Sequence, residues 1–107
     1  MQKHELPQSI KKSLRSLSHL AHEEEMRRAL KQLNQHFDRW KASEIDSFEL
    51  ADRIHEFHNG PNREIYLRYN SRLDLRILVG HALREGFLER ESISKELWPY
   101  LDDTIKP

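Results

Sequence analysis

Cysteine is absent from this chain, which excludes disulfides, a thiolate nucleophile and cysteine-ligated metal. Glycine is nearly absent too: the three present are isolated from one another, so no glycine-rich loop can cradle a phosphate. No apolar run approaches the roughly 20 residues that a membrane-crossing helix needs. The start, Met1-Gln2-Lys3-His4-Glu5-Leu6-Pro7, has nothing resembling a secretory signal. A soluble, cytoplasmic protein is the expectation from these absences. Apolar residues are also scarce, 36% against 34% charged. Such a composition suits helices that each bury a single apolar stripe. The thin core would gain from pairing with a second copy or docking on a larger partner.

What is present reads as one all-α domain over 107 residues, a compact bundle of about four to six helices. Leu6-Pro7 can open the first helix, proline being tolerated in the first turn. Ile10, Leu14, Leu17 and Ala21 follow at helical spacing, and Met26, Leu30, Leu33, Phe37 and Trp40 form a second stripe in a different phase. The change of phase has two readings: a break between Leu20 and Glu25, which is preferred although no glycine or proline marks it, or one long helix whose two halves pack against different neighbours. Asp46 and Glu49 fit a capping box, with Ile45 and Leu50 as its hydrophobic staple. Ala51, Ile54 and Phe57 continue that helix, and Phe48 is expected to cover the end of the Trp40 helix. Asn59-Gly60-Pro61 should close it, with Gly60 at positive φ and Pro61 opening the next helix. Ile65, Tyr66, Tyr69 and Leu73 make a further seam, with a boundary near Ser71 from its capping-box spacing to Asp74. The segment Leu75, Ile77, Leu78, Val79, Ala82 and Leu83 is the expected core helix, stopped at Gly86. Ser92 is placed at the cap of a short last helix holding Ile93, Glu96 and Leu97. Residues 102–107 are expected to fray. Trp40 and Trp98 are assigned to packing at the ends of the bundle.

Formal charge sums to zero but is unevenly spread. Residues 1–43 carry nine Lys or Arg against five Asp or Glu, a net of +4; residues 44–107 carry nine against thirteen, a net of −4. That asymmetry can orient two copies head to tail or guide an acidic partner to the basic half.

The histidine spacing invites a catalytic reading and then refuses it. His55-Glu56-Phe57-His58 resembles the zinc-protease pattern, but that motif needs its histidines four apart on one helical face. Here they are three apart. Asp52, His55 and His58 can still be considered together as metal ligands, as can a bundle site recruiting the His19 and His22 pair. Seven histidines in a helical chain produce such pairs by chance. Carboxylates and serines fit solvent-facing surfaces and caps better than an acid–base pair or a nucleophile, so neither an enzyme nor a cofactor is the expectation; a metal-dependent enzyme is the remote alternative.

Arg63, Tyr66, Arg68, Tyr69, Arg72 and Arg76 combine bidentate donors with aromatic rings, a chemistry suited to an acidic protein surface. Arg68, Arg72 and Arg76 recur every four residues and would lie along one face of a continuous helix. The segment from Leu73 through Ile93 can be mistaken for helix-turn-helix, but its second part offers Glu91, Lys95 and Glu96, poor chemistry against phosphate. A nucleic-acid reading therefore falls on the basic first half, at Lys3, Lys11, Lys12 and Arg15. The preferred expectation is a dimeric protein-binding adaptor or regulator that presents a helical face.

Overall fold

The computed structural model describes residues 6–101. Lys3 and the tail 102–107 lie outside the described residues. All regular structure among the described residues is helical. It consists of α1 (Gln8–Lys41), α2 (Ser47–Asn59), α3 (Pro61–Tyr69) and α4 (Leu75–Glu85), followed by the short 3₁₀ helices Arg90–Ser92 and Trp98–Tyr100. Among the described residues no helix is long and apolar enough to cross a membrane.

α1 runs unbroken, so the preferred interruption between Leu20 and Glu25 does not occur and the alternative of one long helix does. A change in stripe phase interrupts no backbone hydrogen bond. With neither glycine nor proline between Gln8 and Lys41, nothing removes a donor or favours another backbone geometry. The chain divides into two compact units, Met1–Glu23 with Arg72–Pro107, and Glu24–Ser71, and α1 contributes its first half to one and its second half to the other.

The first unit holds most of the buried apolar side chains. Ile10, Leu14, Leu17 and Ala21 from α1 join Leu78, Val79 and Ala82 from α4, and Leu88, Ile93, Leu97 and Leu101 from the segment beyond. α4 begins at Asp74, whose carboxylate accepts from the Arg76 backbone N–H at 2.8 Å. It ends at Gly86, in the left-handed region at φ 80°. There Phe87 N–H donates back to Ala82 O at 2.8 Å, and Gly86 N–H to Leu83 O at 3.4 Å, the paired bonds of a glycine C-cap. The core helix is open on one side, since Ile77 is half exposed. The helix expected after Ser92 does not form. Ser92 instead closes a 3₁₀ turn, its hydroxyl donating to Glu89 O at 2.6 Å. Ile93, Leu97 and Leu101 keep a four-residue spacing and are all buried, but turns rather than an α-helix place them.

The second unit combines the second half of α1 with α2 and α3. α1 ends without glycine: Ser43 takes the left-handed conformation at φ 61°, while Ser43 N–H donates to Trp40 O at 3.0 Å and Glu44 N–H to Arg39 O at 2.8 Å. α2 starts where the sequence placed it, with Asp46 Oδ1 accepting from Glu49 N–H at 2.8 Å and with Ile45 and Leu50 both buried. Phe48 does not cover the end of α1; it is 83% exposed. The contact there is polar, the Trp40 indole N–H donating to Ser47 Oγ at 3.0 Å. Gly60 separates α2 from α3 as expected, but at φ −106° rather than a positive angle. Its glycine requirement comes from proximity, because a Cβ there would stand 3.0 Å from Glu56 O. Ile65 is buried on α3, whereas Tyr66 is exposed; the expected seam does not reach Leu73, because α3 stops at Tyr69.

Candidate functional site

Two helix starts in the first unit set up a basic pocket with an apolar lining. Lys11 and Arg15 stand one turn apart on α1, in its opening turns, and therefore share a face. Asp74, Leu75 and Arg76 start α4, and Leu73 precedes it. Together with Leu6 these residues line a pocket of about 410 Å³, within the range of about 300–1,000 Å³ common to ligand sites. α1 has no acidic residue in its first turn, so the positive end of its backbone dipole adds to the side-chain charge, whereas at α4 the Asp74 carboxylate caps the helix and offsets it.

The charges of the pocket are not balanced. Asp74 holds Arg76 in a fork, Arg76 Nε donating to Oδ1 at 3.0 Å and Nη2 to Oδ2 at 2.6 Å. Hydrogen bonding from Arg76 keeps the Asp74 carboxyl below the usual carboxylate range, and the same bond raises the Arg76 guanidinium. Among the described residues no carboxylate pairs with Lys11 or Arg15. Among the described residues, the pocket therefore offers two unneutralised cations, a third held by Asp74, and leucine side chains in the same lining. Such a site can take a carboxylate or phosphate group attached to an apolar body.

Asp74 contributes to stability both as the cap of α4 and as the partner of Arg76. Asp74→Ala removes the α4 cap, worth about 1 kcal/mol, and a partly exposed ion pair worth less than about 1 kcal/mol. A loss of about 1 to 1.5 kcal/mol in urea denaturation is expected at neutral pH. Because the folded carboxyl titrates below its ordinary value of 3.8, this stability is present above that value and disappears as pH falls through the lower folded one. The wild-type and variant curves should thus converge in acid. Parallel curves would show that Asp74 acts only as an uncharged cap.

The structure distributes the sequence-predicted residues differently from their spacing. Arg68, Arg72 and Arg76 do not line one helix, since α3 ends at Tyr69 and α4 begins at Leu75. Arg76 enters the pocket with Lys11 and Arg15, which the sequence had placed in a separate group. Arg72 and Lys12 are exposed outside its lining. Arg63 and Tyr66 are exposed on α3. Arg68 and Tyr69 are engaged inside the second unit: the Arg68 guanidinium pairs with Glu25, and the Tyr69 hydroxyl donates to Glu25 Oε1 at 3.0 Å. Burial pushes the Tyr69 phenol well above its usual value, and the Glu25 charge adds to the shift. The leucines of the pocket escaped notice because Leu73 and Leu75 read as members of helical stripes; the ending of α3 releases Leu73 from one.

Two other arrangements have less to offer. Asp52, His55 and His58 are exposed on α2, with His55 Nε2 2.9 Å from Asn59 Nδ2. Among the described residues no three His, Asp or Glu side chains are grouped closely enough to hold a metal ion. A groove of about 230 Å³ in the second unit is lined by Leu33, Phe57 and His36, with Arg53 and Glu56 on its wall. Its charges cancel, Arg53 pairing with Glu56 at 2.6 Å and with Glu49 at 3.9 Å. His36 Nδ1 is buried there without a hydrogen-bond partner among the described residues. No known protein family, curated protein or solved structure matches this chain.

Proposed function

We propose that this chain is a small non-enzymatic adaptor or regulator that holds an acidic, apolar-anchored segment of another protein in the pocket of Lys11, Arg15 and Arg76. The observation that carries the reading is the meeting of two unpaired cations with leucine surface in one concavity. An apolar side chain seated on Leu6, Leu73 and Leu75 supplies affinity by leaving water, at about 25 cal/mol per Å² buried. Carboxylates beside it answer Lys11 and Arg15, which steer the encounter and fix orientation. In this reading the chain acts as a single helical domain of the four-to-six-helix class, in the cytoplasm and without a cofactor.

Nucleic acid is the competing ligand, because Lys11 and Arg15 serve either reading. The two differ in what the leucines do. Phosphate binding needs the cations alone, whereas a peptide with an apolar residue between acidic ones needs Leu73 as well. Calorimetric titration with such a peptide is expected to show binding that weakens about tenfold or more in Arg15→Glu and also in Leu73→Ser, with the circular dichroism spectrum unchanged. An oligonucleotide that binds more tightly than the peptide, loses affinity in Arg15→Glu and ignores Leu73→Ser would move the assignment to nucleic acid.

A further inference from the structure

We propose that the Phe48 and Asp52 face of α2 docks in the Lys11–Arg15–Arg76 pocket of a second copy of this chain, an inference that rests on the pocket reading above. Among the described residues Phe48 is the most exposed of the large apolar side chains, at 83%. It stands in the first turn of α2, and Asp52 follows four residues later, so both project from one face. This turn is held in place before any partner arrives: Asp46 caps it, and the Trp40 indole is bonded to Ser47. Pre-ordering of this kind lowers the entropy lost on docking.

The charges of α2 decide which carboxylate is available. Glu49 and Glu56 are both engaged with Arg53. Asp52 is exposed and has no ion pair among the described residues. An aromatic ring with one unpaired carboxylate a turn away matches a pocket whose leucines lie beside unpaired cations. Leu73 is itself 46% exposed in the isolated chain, so docking covers apolar surface on both sides. Each copy carries one ring face and one pocket, and the contact is heterologous. A partner segment of similar chemistry then has to displace the second copy, which makes self-association a brake on partner binding.

Sedimentation equilibrium over a range of concentrations tests this. The wild-type chain should self-associate, less tightly as salt rises. Phe48→Ala should weaken association by about thirtyfold, as loss of an aromatic anchor does. Asp52→Arg and Arg15→Glu should each prevent association when alone, because each sets like charges face to face. An equimolar mixture of the two variants should associate again, since each face then meets a pocket of opposite charge. Both sites are exposed, and circular dichroism checks that the variants stay folded. A wild-type chain that is monomeric throughout, Phe48→Ala association as tight as wild type, or a mixture that stays monomeric would overturn the proposal. If the chain is monomeric yet still binds the acidic peptide through Arg15, self-docking fails and the pocket reading stands. If it pairs through Phe48 but ignores the peptide, self-docking stands and the adaptor reading fails.

Discussion

Truncating Leu14 to alanine is expected to lower the unfolding free energy by about 3 kcal/mol, within the range of about 2–5 for buried leucines. Leu14 has no exposed surface, and neither do Val79 and Ala82 of the same unit. Its neighbours along α1, Ile10, Leu17 and Ala21, are buried on the same stripe. The lost carbon atoms forfeit their transfer energy, and the surrounding helices relax only partly into the space, so a cavity term adds to that loss. Against a total stability of about 5–15 kcal/mol for a domain, this removes a large share. Leu20, on the same helix but 56% exposed, provides the control: Leu20→Ala should change stability by less than about 0.5 kcal/mol. Urea denaturation reads both, and equal small losses at the two positions would show that the core of the first unit is not closed around Leu14.

Leu14 was legible in the sequence because the stripe from Ile10 to Ala21 has helical spacing and the helix is continuous. The same holds wherever local chemistry suffices. Asp46 with Glu49 marked the start of α2, and Gly86 marked the end of α4, since capping depends on residues a few positions apart. Misreadings arose where burial depends on what arrives from elsewhere in the chain. Phe48 has the composition of a core residue and stands in water. Ile93 and Leu97 have helical spacing and are buried without a helix. The end of α1 was hidden for a different reason: Ser43 takes a conformation usually left to glycine, with nothing in its side chain to announce it.

The candidate site was half legible, in its charges and not in its grouping. Lys11 and Arg15 are neighbours by helical spacing, but Arg76 joins them only through the fold, and no periodicity connects positions so far apart. The periodic series Arg68, Arg72 and Arg76 was false because its helix stops after the first member. Glu25 was overlooked for the opposite reason. It lies at four-residue steps between Ala21 and Ala29, in the covered part of α1, and a carboxylate in that position signals a buried partner. Its abundance of acidic neighbours, Glu23 and Glu24, concealed the signal.

That partner makes Glu25→Ala the second large effect, an expected loss of about 2 kcal/mol. Glu25 accepts from both Arg68 and Tyr69, and its side chain is 12% exposed against 27% for Arg68. Breaking a fully buried ion pair costs about 3–5 kcal/mol. Arg68 can regain some water, so the cost falls toward the about 1.5–3 kcal/mol of a hydrogen bond to a charged group. Tyr69→Phe removes the hydroxyl alone and should cost about 1 kcal/mol. The double variant should then lose less than the sum of the two, because both remove the same bond. Alkaline pH separates this bond from packing. Burial and the Glu25 charge hold the folded phenol above its ordinary value of 10.0, so the unfolded chain releases the proton first. The stability due to the neutral hydroxyl is complete below the ordinary value and is lost as pH rises from there through the higher folded one. Wild type should therefore approach Tyr69→Phe in stability as the solution becomes strongly alkaline. Two curves that keep a constant separation across that range would mean that the Tyr69 hydroxyl titrates alike in both states, and the Glu25 bond would then contribute nothing to holding the second unit together.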